Sequence, residues 1–227
     1  MITRLFGDRV DAQRRQATRQ ARGPLLDCLT TPLPDRALPA ARVPMLAVDF
    51  ETTGLNPDTD DLLSVGYVAV NGLEIDFSTA GQFVIRGAQE VGQSATVHGL
   101  TDDTVAAGVT LHKAITAIVK ALRGRVMLAH FADIEEKFLD RACRDLFGAG
   151  LPLLSVDTMM LQHHVLAHSN THHGSVRLWG ARERYGLPVY RAHEALTDAV
   201  ACAELFLAQV AEIGPTTPLR KLVRWSA

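Results

Sequence analysis

Residues 45–54 read MLAVDFETTG, and the reading of this decapeptide decides the fold. Met45 to Phe50 form a short apolar run closed by the turn-rich stretch Thr53 to Asp61, which is the pattern of a buried strand. Side chains alternate along a strand, so Asp49 and Glu51 fall on one face. Two like charges at the end of a buried strand repel each other and lose hydration, at a cost of several kcal/mol unless something positive neutralises them. A divalent cation is the simplest neutraliser, and hard oxygen donors without neighbouring Cys or His favour Mg²⁺ or Mn²⁺ over zinc. The competing reading is an exposed edge strand whose acids bind nothing.

Outward from this strand the chain reads as an α/β protein with a mixed sheet. Leu62 to Val70 (LLSVGYVAV) predicts a neighbouring strand, and a third is expected around Phe83 to Arg86. A helix near Leu111 to Leu122 and a strand at Arg125 to Ala129 follow. Helical spacing then dominates over Ile134 to Phe147, Thr158 to Ala167, Ser175 to Tyr185 and Glu194 to Ile213. Upstream, Gly23 to Pro44 carries five prolines and predicts an extended connector. The chain therefore divides into an Arg-rich helix and connector over 1–43, a main domain over 44–214 and a basic tail over 215–227.

Helical geometry selects further acids. Positions 134, 135, 138, 139, 142, 143 and 146 form one stripe, in which Glu135 is the only charge. Asp133 and Glu136 lie about 200° and about 100° around the helix from it and point elsewhere. Asp198 shares a face with Ala195, Ala201, Cys202 and Leu205. Three separate elements thus each aim one or two acids inward, an arrangement that two cations about 3.5–4 Å apart would neutralise in phosphodiester displacement. His193 would sit about 140° from Asp198 if both were helical, so it is placed just before the first turn. From there it could take a proton from a metal-bound water, whereas the plainer reading is a surface histidine beside Glu194.

Composition narrows the class. The chain has 227 residues, 47% of them hydrophobic, and 23 Lys and Arg against 25 Asp and Glu for a net charge of −2. Disorder, a mini-protein scaffold and a collagen-like repeat are excluded. Cys28, Cys143 and Cys202 form no CxxC pair and read as buried thiols of a reducing compartment. No apolar run approaches the ~20 residues of a membrane span, and no secretory signal opens the chain, so a cytoplasmic protein is expected. The charge is uneven: six arginines against two aspartates give residues 1–22 a charge of +4. Such an arm either holds a polyanion or is a solvated amphipathic helix.

The motifs resemble the DEDD superfamily of 3′–5′ exonucleases, histidine subclass, and most of all its epsilon proofreading branch of bacterial DNA polymerase III. Asp49-Phe50-Glu51-Thr52-Thr53-Gly54 resembles the first motif and His193 to Asp198 (HEALTD) the third. The similarity runs from about Met45 to Val210, through Val97 to Leu100 (VHGL), Val156 to Thr158 (VDT) and Arg184 to Pro188 (RYGLP). In the middle motif His130 and Phe138 are in register, but Glu135 stands where the family usually has Asp, a substitution resembling that of a group of stand-alone bacterial relatives. The resemblance implies a ribonuclease H-like fold over the main domain and two divalent cations, Mg²⁺ or Mn²⁺. It further implies that Asp49 bridges them, that Glu51 and Asp198 complete one site, that Glu135 supports the other, and that His193 activates the water. Thr52, Thr53, Leu55, His98 and His130 would line the terminal nucleotide. The implied activity is stepwise release of nucleoside 5′-monophosphates from a nucleic acid with a free 3′ end. DNA is favoured, chiefly single-stranded, with a separate polymerase or repair partner and no membrane.

Other readings remain open at this level. An exoribonuclease would share every catalytic residue, since the chemistry does not depend on the sugar. A non-catalytic nucleic-acid-binding module would share only the fold. His163, His164, His168, His172 and His173 suggest a zinc site, but no acid or Cys joins them at suitable spacing, and a polar loop after a helix is the stronger reading. Two cations would turn −2 into about +2, leaving the arginine-rich arm to hold more distant phosphates.

Overall fold

The computed structural model of the chain describes residues 2–86, 107–168 and 174–226. Five strands, Pro44–Thr52 (β1), Leu62–Asn71 (β2), Glu74–Val84 (β3), Val126–Ala129 (β4) and Ser155–Asp157 (β5), form one sheet in the order β3-β2-β1-β4-β5. β1, β2 and β3 pair antiparallel, and β4 and β5 continue parallel to β1. The sheet is mixed, as the element order predicts. The third strand begins at Glu74, well before the expected Phe83, and β5 is an addition to the expected set.

Alternation along β1 builds two cores. Leu46, Val48 and Phe50 face one layer, with Leu25, Ile115 and Leu139, which belong to the helices Gly23–Thr30 (α2), Leu111–Ala121 (α3) and Asp133–Phe147 (α4). Met45 and Ala47 face the other, with Cys202, Phe206 and Val210 of the long helix Ala195–Ile213 (α7) and Leu161 of Thr158–His168 (α5). The helix Leu178–Arg184 (α6) lies against α7. Period two then places Asp49 and Glu51 on the α7 side.

The two ends of the chain are woven into this body. Ile2–Ala17 (α1) packs on α2, and Arg14, only 5% exposed, inserts between them. Its guanidinium donates to the carbonyls of Cys28 (2.7 Å), Leu29 (3.3 Å) and Thr31 (3.1 Å) at the end of α2, where helical carbonyls run out of intrahelical partners. α2 corrects the expectation of an extended connector. Pro24 occupies its first turn, where a missing N–H costs nothing, and the other prolines of the segment follow the helix. The basic tail likewise folds, as Leu219–Trp225 (α8), and buries Leu219 and Leu222. Its start pairs with the connector through Leu219 N–H to Leu38 O (2.8 Å) and Ala40 N–H to Thr217 O (2.7 Å). The three cysteines are free and buried. No helix among the described residues is long and apolar enough to cross a membrane.

Candidate active site

Acids from three elements meet at the end of β1. Glu51, Glu135 and Asp198 are 6%, 4% and 7% exposed, a degree of burial that charged side chains tolerate only when compensated. Glu51, His193 and Asp198 each offer one ligand atom, and these atoms lie within 4.8 Å of one another. Asp49 and Glu135 are outside that tightest group but share its field. Asp49 is held well above the usual carboxylate range by loss of hydration and by the charges of Glu135, Asp198 and Glu51. Burial, with Asp198 beside it, pushes Glu51 up to about 7. Burial pushes Glu135 up to about 8, with the charge of Asp157 adding and the Phe50 amide of β1 partly offsetting it. Asp198 is raised by burial against the pull of the His193 amide and charge.

Local structure explains the convergence. The β1–β2 register shifts between Glu51 and Thr52, a bulge of the kind that re-aims side chains beside active sites. Gly66 stands opposite Asp49 in that ladder, and a Cβ there would run into the backbone of Ala195 and Leu196, so the missing side chain lets α7 start against the sheet. Asp198 consequently sits in the first turn of α7, beside Glu51. His193 precedes that turn, as the angular argument requires, in a left-handed conformation (φ 67°) with its N–H on Asp198 Oδ2 at 3.0 Å. It is exposed to solvent.

The residues expected to meet substrate lie on two loops. Thr52 Oγ1 donates to Gly54 O (2.6 Å) and Thr53 Oγ1 accepts from Asp61 N–H (2.9 Å), bracing the β1–β2 loop, while Leu55 is 71% exposed at its tip. His130 directly follows β4, with Nδ1 2.9 Å from Thr158 Oγ1, and burial lowers its pKa to about 4, so it is neutral at physiological pH. His98 and its Val97–Leu100 segment lie outside the described residues, as do His172 and His173. Of the remaining histidines, His164 stacks on Trp225 at 3.9 Å and His168 Nδ1 is 2.8 Å from His164 O.

One buried acid was not singled out from the sequence. The Asp157 carboxylate accepts from the amides of Phe131 and Ala132 (both 3.0 Å) and of Met159 (2.8 Å). It therefore ties the β4–α4 loop, with Phe131 at φ 69°, to the first turn of α5, and so orients both His130 and the start of the helix bearing Glu135. The signal available in the sequence was an acid followed by Thr immediately before a helical stretch, the pattern of an N-terminal cap.

The residues present suit a hard divalent cation. Glu135 Oε2 and Asp198 Oδ1 are buried without a hydrogen-bond partner, and the donors are carboxylate oxygens with one imidazole. An uncompensated group of this kind is costly, and positive charge at its centre relieves it.

Comparison with known proteins agrees with this geometry. The RNase T family model, described as exonuclease, matches residues 46–206. The PolC-type DNA polymerase III of Thermotoga maritima is 27% identical over 71% of this chain but only 11% of its own length, so the chain spans a small part of that relative. The DNA polymerase III subunit epsilon of Treponema pallidum is 27% identical over 74% of this chain and 77% of its own. Among solved structures, exonuclease X in complex with 5′-overhanging duplex DNA superposes with a TM-score of 0.61 at 16% identity, covering 81% of this chain and 99% of that one. The fold is the ribonuclease H-like one expected of such exonucleases, and with a family match covering the sheet and all four acids, the chain belongs to the RNase T family of DEDD exonucleases.

Proposed function

We propose that this chain is a metal-dependent 3′–5′ exonuclease that removes nucleoside 5′-monophosphates one at a time from DNA, chiefly from single strands. The observation that carries this reading is the convergence of Asp49, Glu51, Glu135 and Asp198 with His193, including two buried carboxylate oxygens that have no protein partner. Asp49, central to the mutual repulsion, would be shared between two cations. Glu51 and Asp198 would complete one site and Glu135 the other, its extra methylene compensated by an approach from the start of α4. When bound, Mg²⁺ or Mn²⁺ supplies Lewis-acid stabilisation of the attacking and leaving oxygens at phosphorus.

The remaining work falls to the protein. An imidazole nitrogen of His193 takes the proton of the attacking water, and its exposure lets it pass that proton to solvent. Thr52, Thr53 and Leu55 on the β1–β2 loop, with His130 and His98, would line the terminal nucleotide. A separate polymerase or repair factor would provide the substrate in a proofreading role, a reading supported by the similarity to an epsilon subunit.

The test is digestion of 5′-labelled and 3′-labelled single strands, in DNA and RNA, with and without Mg²⁺ or Mn²⁺. A divalent-dependent ladder shortening the DNA from its 3′ end is expected, with mononucleotide as product. Full activity in Asp49→Ala would overturn the mechanism.

A further inference from the structure

We propose that Arg182 is a positioning residue for His193, acting through a contact set with Glu204 and Tyr190 that fixes the segment leading into the histidine; this rests on the reading of His193 as the base. Arg182 is 1% exposed, the largest of the fully buried side chains. A guanidinium removed from water to that degree weakens a fold unless its donors are met, and apolar side chains of similar volume are often the more stable choice. Its retention therefore points to geometry.

The contacts it makes are specific. Arg182 Nη1 donates to the carbonyl of Ala201 in α7 (2.6 Å), while Nη2 donates to Pro188 O (2.8 Å) and to Glu204 Oε2 (2.7 Å). Tyr190 Oη donates to the other Glu204 oxygen (2.9 Å), and the guanidinium lies 5.0 Å from the Tyr190 ring and 5.4 Å from that of Trp179. One arginine thus binds α7, the end of α6 and the segment 188–190 together.

That segment has no regular secondary structure of its own, yet it delivers His193. Four residues separate Pro188 from His193, and the latter is held in left-handed backbone, a conformation that persists in a non-glycine residue only when its surroundings over-determine it. At the far end the His193 N–H is held by Asp198, and at the near end Pro188 and Tyr190 are held by Arg182 and Glu204. Both anchors lead to α7, Asp198 on its first turn and Ala201 and Glu204 on the two turns after it. The segment therefore spans two fixed points on one helix. The charge of Arg182 also reaches Asp198, where it opposes the upward push of burial.

The experiment measures kcat, KM and Tm with Mg²⁺ and single-stranded DNA for Tyr190→Phe and Arg182→Lys, each in the wild-type and His193→Ala backgrounds. Tyr190→Phe removes one hydroxyl from a partly exposed ring, so it keeps its Tm within ~2 °C while kcat falls about 3- to 10-fold and KM stays within about twofold. Arg182→Lys keeps the charge without the planar fork and lowers kcat about 10- to 100-fold. In the His193→Ala background neither substitution lowers the residual rate further, because both act through the histidine. Equal losses in the two backgrounds, or an unchanged kcat in Tyr190→Phe, would overturn the positioning role. Wild-type kcat in His193→Ala alone would instead overturn the base on which the inference rests.

Discussion

Gly66 faces Asp49 directly across the β1–β2 ladder, and the space its side chain would fill is occupied by the backbone of Ala195 and Leu196 at the start of α7. One absent methyl thus brings the acid of a strand and the acid of a helix, Asp49 and Asp198, into one site. Gly66→Ala must push the first turn of α7 off the sheet. Overpacking of this kind costs about 1–3 kcal/mol, and a displacement near 1 Å at a catalytic group costs about 100-fold in rate. Thermal denaturation and an exonuclease assay are expected to show both losses, and near wild-type activity in Gly66→Ala would refute the account of α7 placement.

The acidic cluster makes a prediction about pH. Glu51 and Glu135 have folded values of about 7 and about 8 against an ordinary 4.5, so between these limits the folded chain holds protons that the unfolded chain has released. Stability is then lost as pH rises towards 8. His130 acts in the opposite sense, but only as pH falls from 6.5 towards about 4, leaving the window from 6.5 to 8 to the acids. Metal-free protein is expected to lose on the order of 2 kcal/mol across that window, or roughly 4–8 °C in Tm for a chain of this size. Added Mg²⁺ or Mn²⁺ should raise Tm more at pH 8 than at 6.5. Glu135→Gln, with no charge to bury, should raise the metal-free Tm at pH 8 while reducing activity, and a flat pH profile in chelator would contradict the placement of these acids.

What could be read from the sequence follows physical periodicity. Asp49 and Glu51 share a strand face, Glu135 and Asp198 interrupt apolar helical stripes, and the rotation between His193 and Asp198 excludes the histidine from the helix; each of these placements holds in the structure. What could not be read depends on contacts distant in sequence. Nothing in residues 62–71 says which helix lands on Gly66. β5 is three residues long, too short to announce itself, so Asp157 passed as part of a motif and its bonds to Phe131 and Ala132 stayed hidden. Arg14 and Arg182 carry charges that the sequence pattern alone would send to solvent, yet both are buried, Arg14 on the Cys28 carbonyl 14 residues away and Arg182 on the Ala201 carbonyl 19 residues away.

Asp157 should behave as a support for the site. Asp157→Ala leaves the amides of Phe131, Ala132 and Met159 without their acceptor, and the Ala132 amide, the buried one of the three, alone costs about 1–3 kcal/mol. Phe131 would then relax from its left-handed conformation and carry His130 and the start of α4 with it. Asp157→Asn keeps the shape and one acceptor oxygen, so a smaller loss of Tm is expected, together with a fall in kcat of about 10- to 100-fold. If Asp157→Asn lowered Tm but left kcat intact, the carboxylate would serve stability alone.

The arginine-rich start of the chain divides into two roles that a simple truncation would confuse. Arg14 is buried on the last carbonyls of α2, and removing residues 1–22 would uncover Leu25, Cys28 and Leu29 as well as remove charge. Arg14→Ala alone should cost about 1.5–3 kcal/mol, the range for hydrogen bonds to charged groups. Arg9, Arg15 and Arg19 are exposed on α1 and the turn after it, where they are free to meet phosphates. Replacing these three by Gln should leave Tm within ~2 °C, because surface substitutions away from buried contacts shift stability little. If each holds one phosphate of a single strand, the slope of log affinity against log salt should fall by about 0.7 per arginine, or about 2 in all. Titration of a fluorescent oligonucleotide against the triple variant at several salt concentrations reads this directly, and an unchanged slope would leave the arm with only the structural role that Arg14 performs.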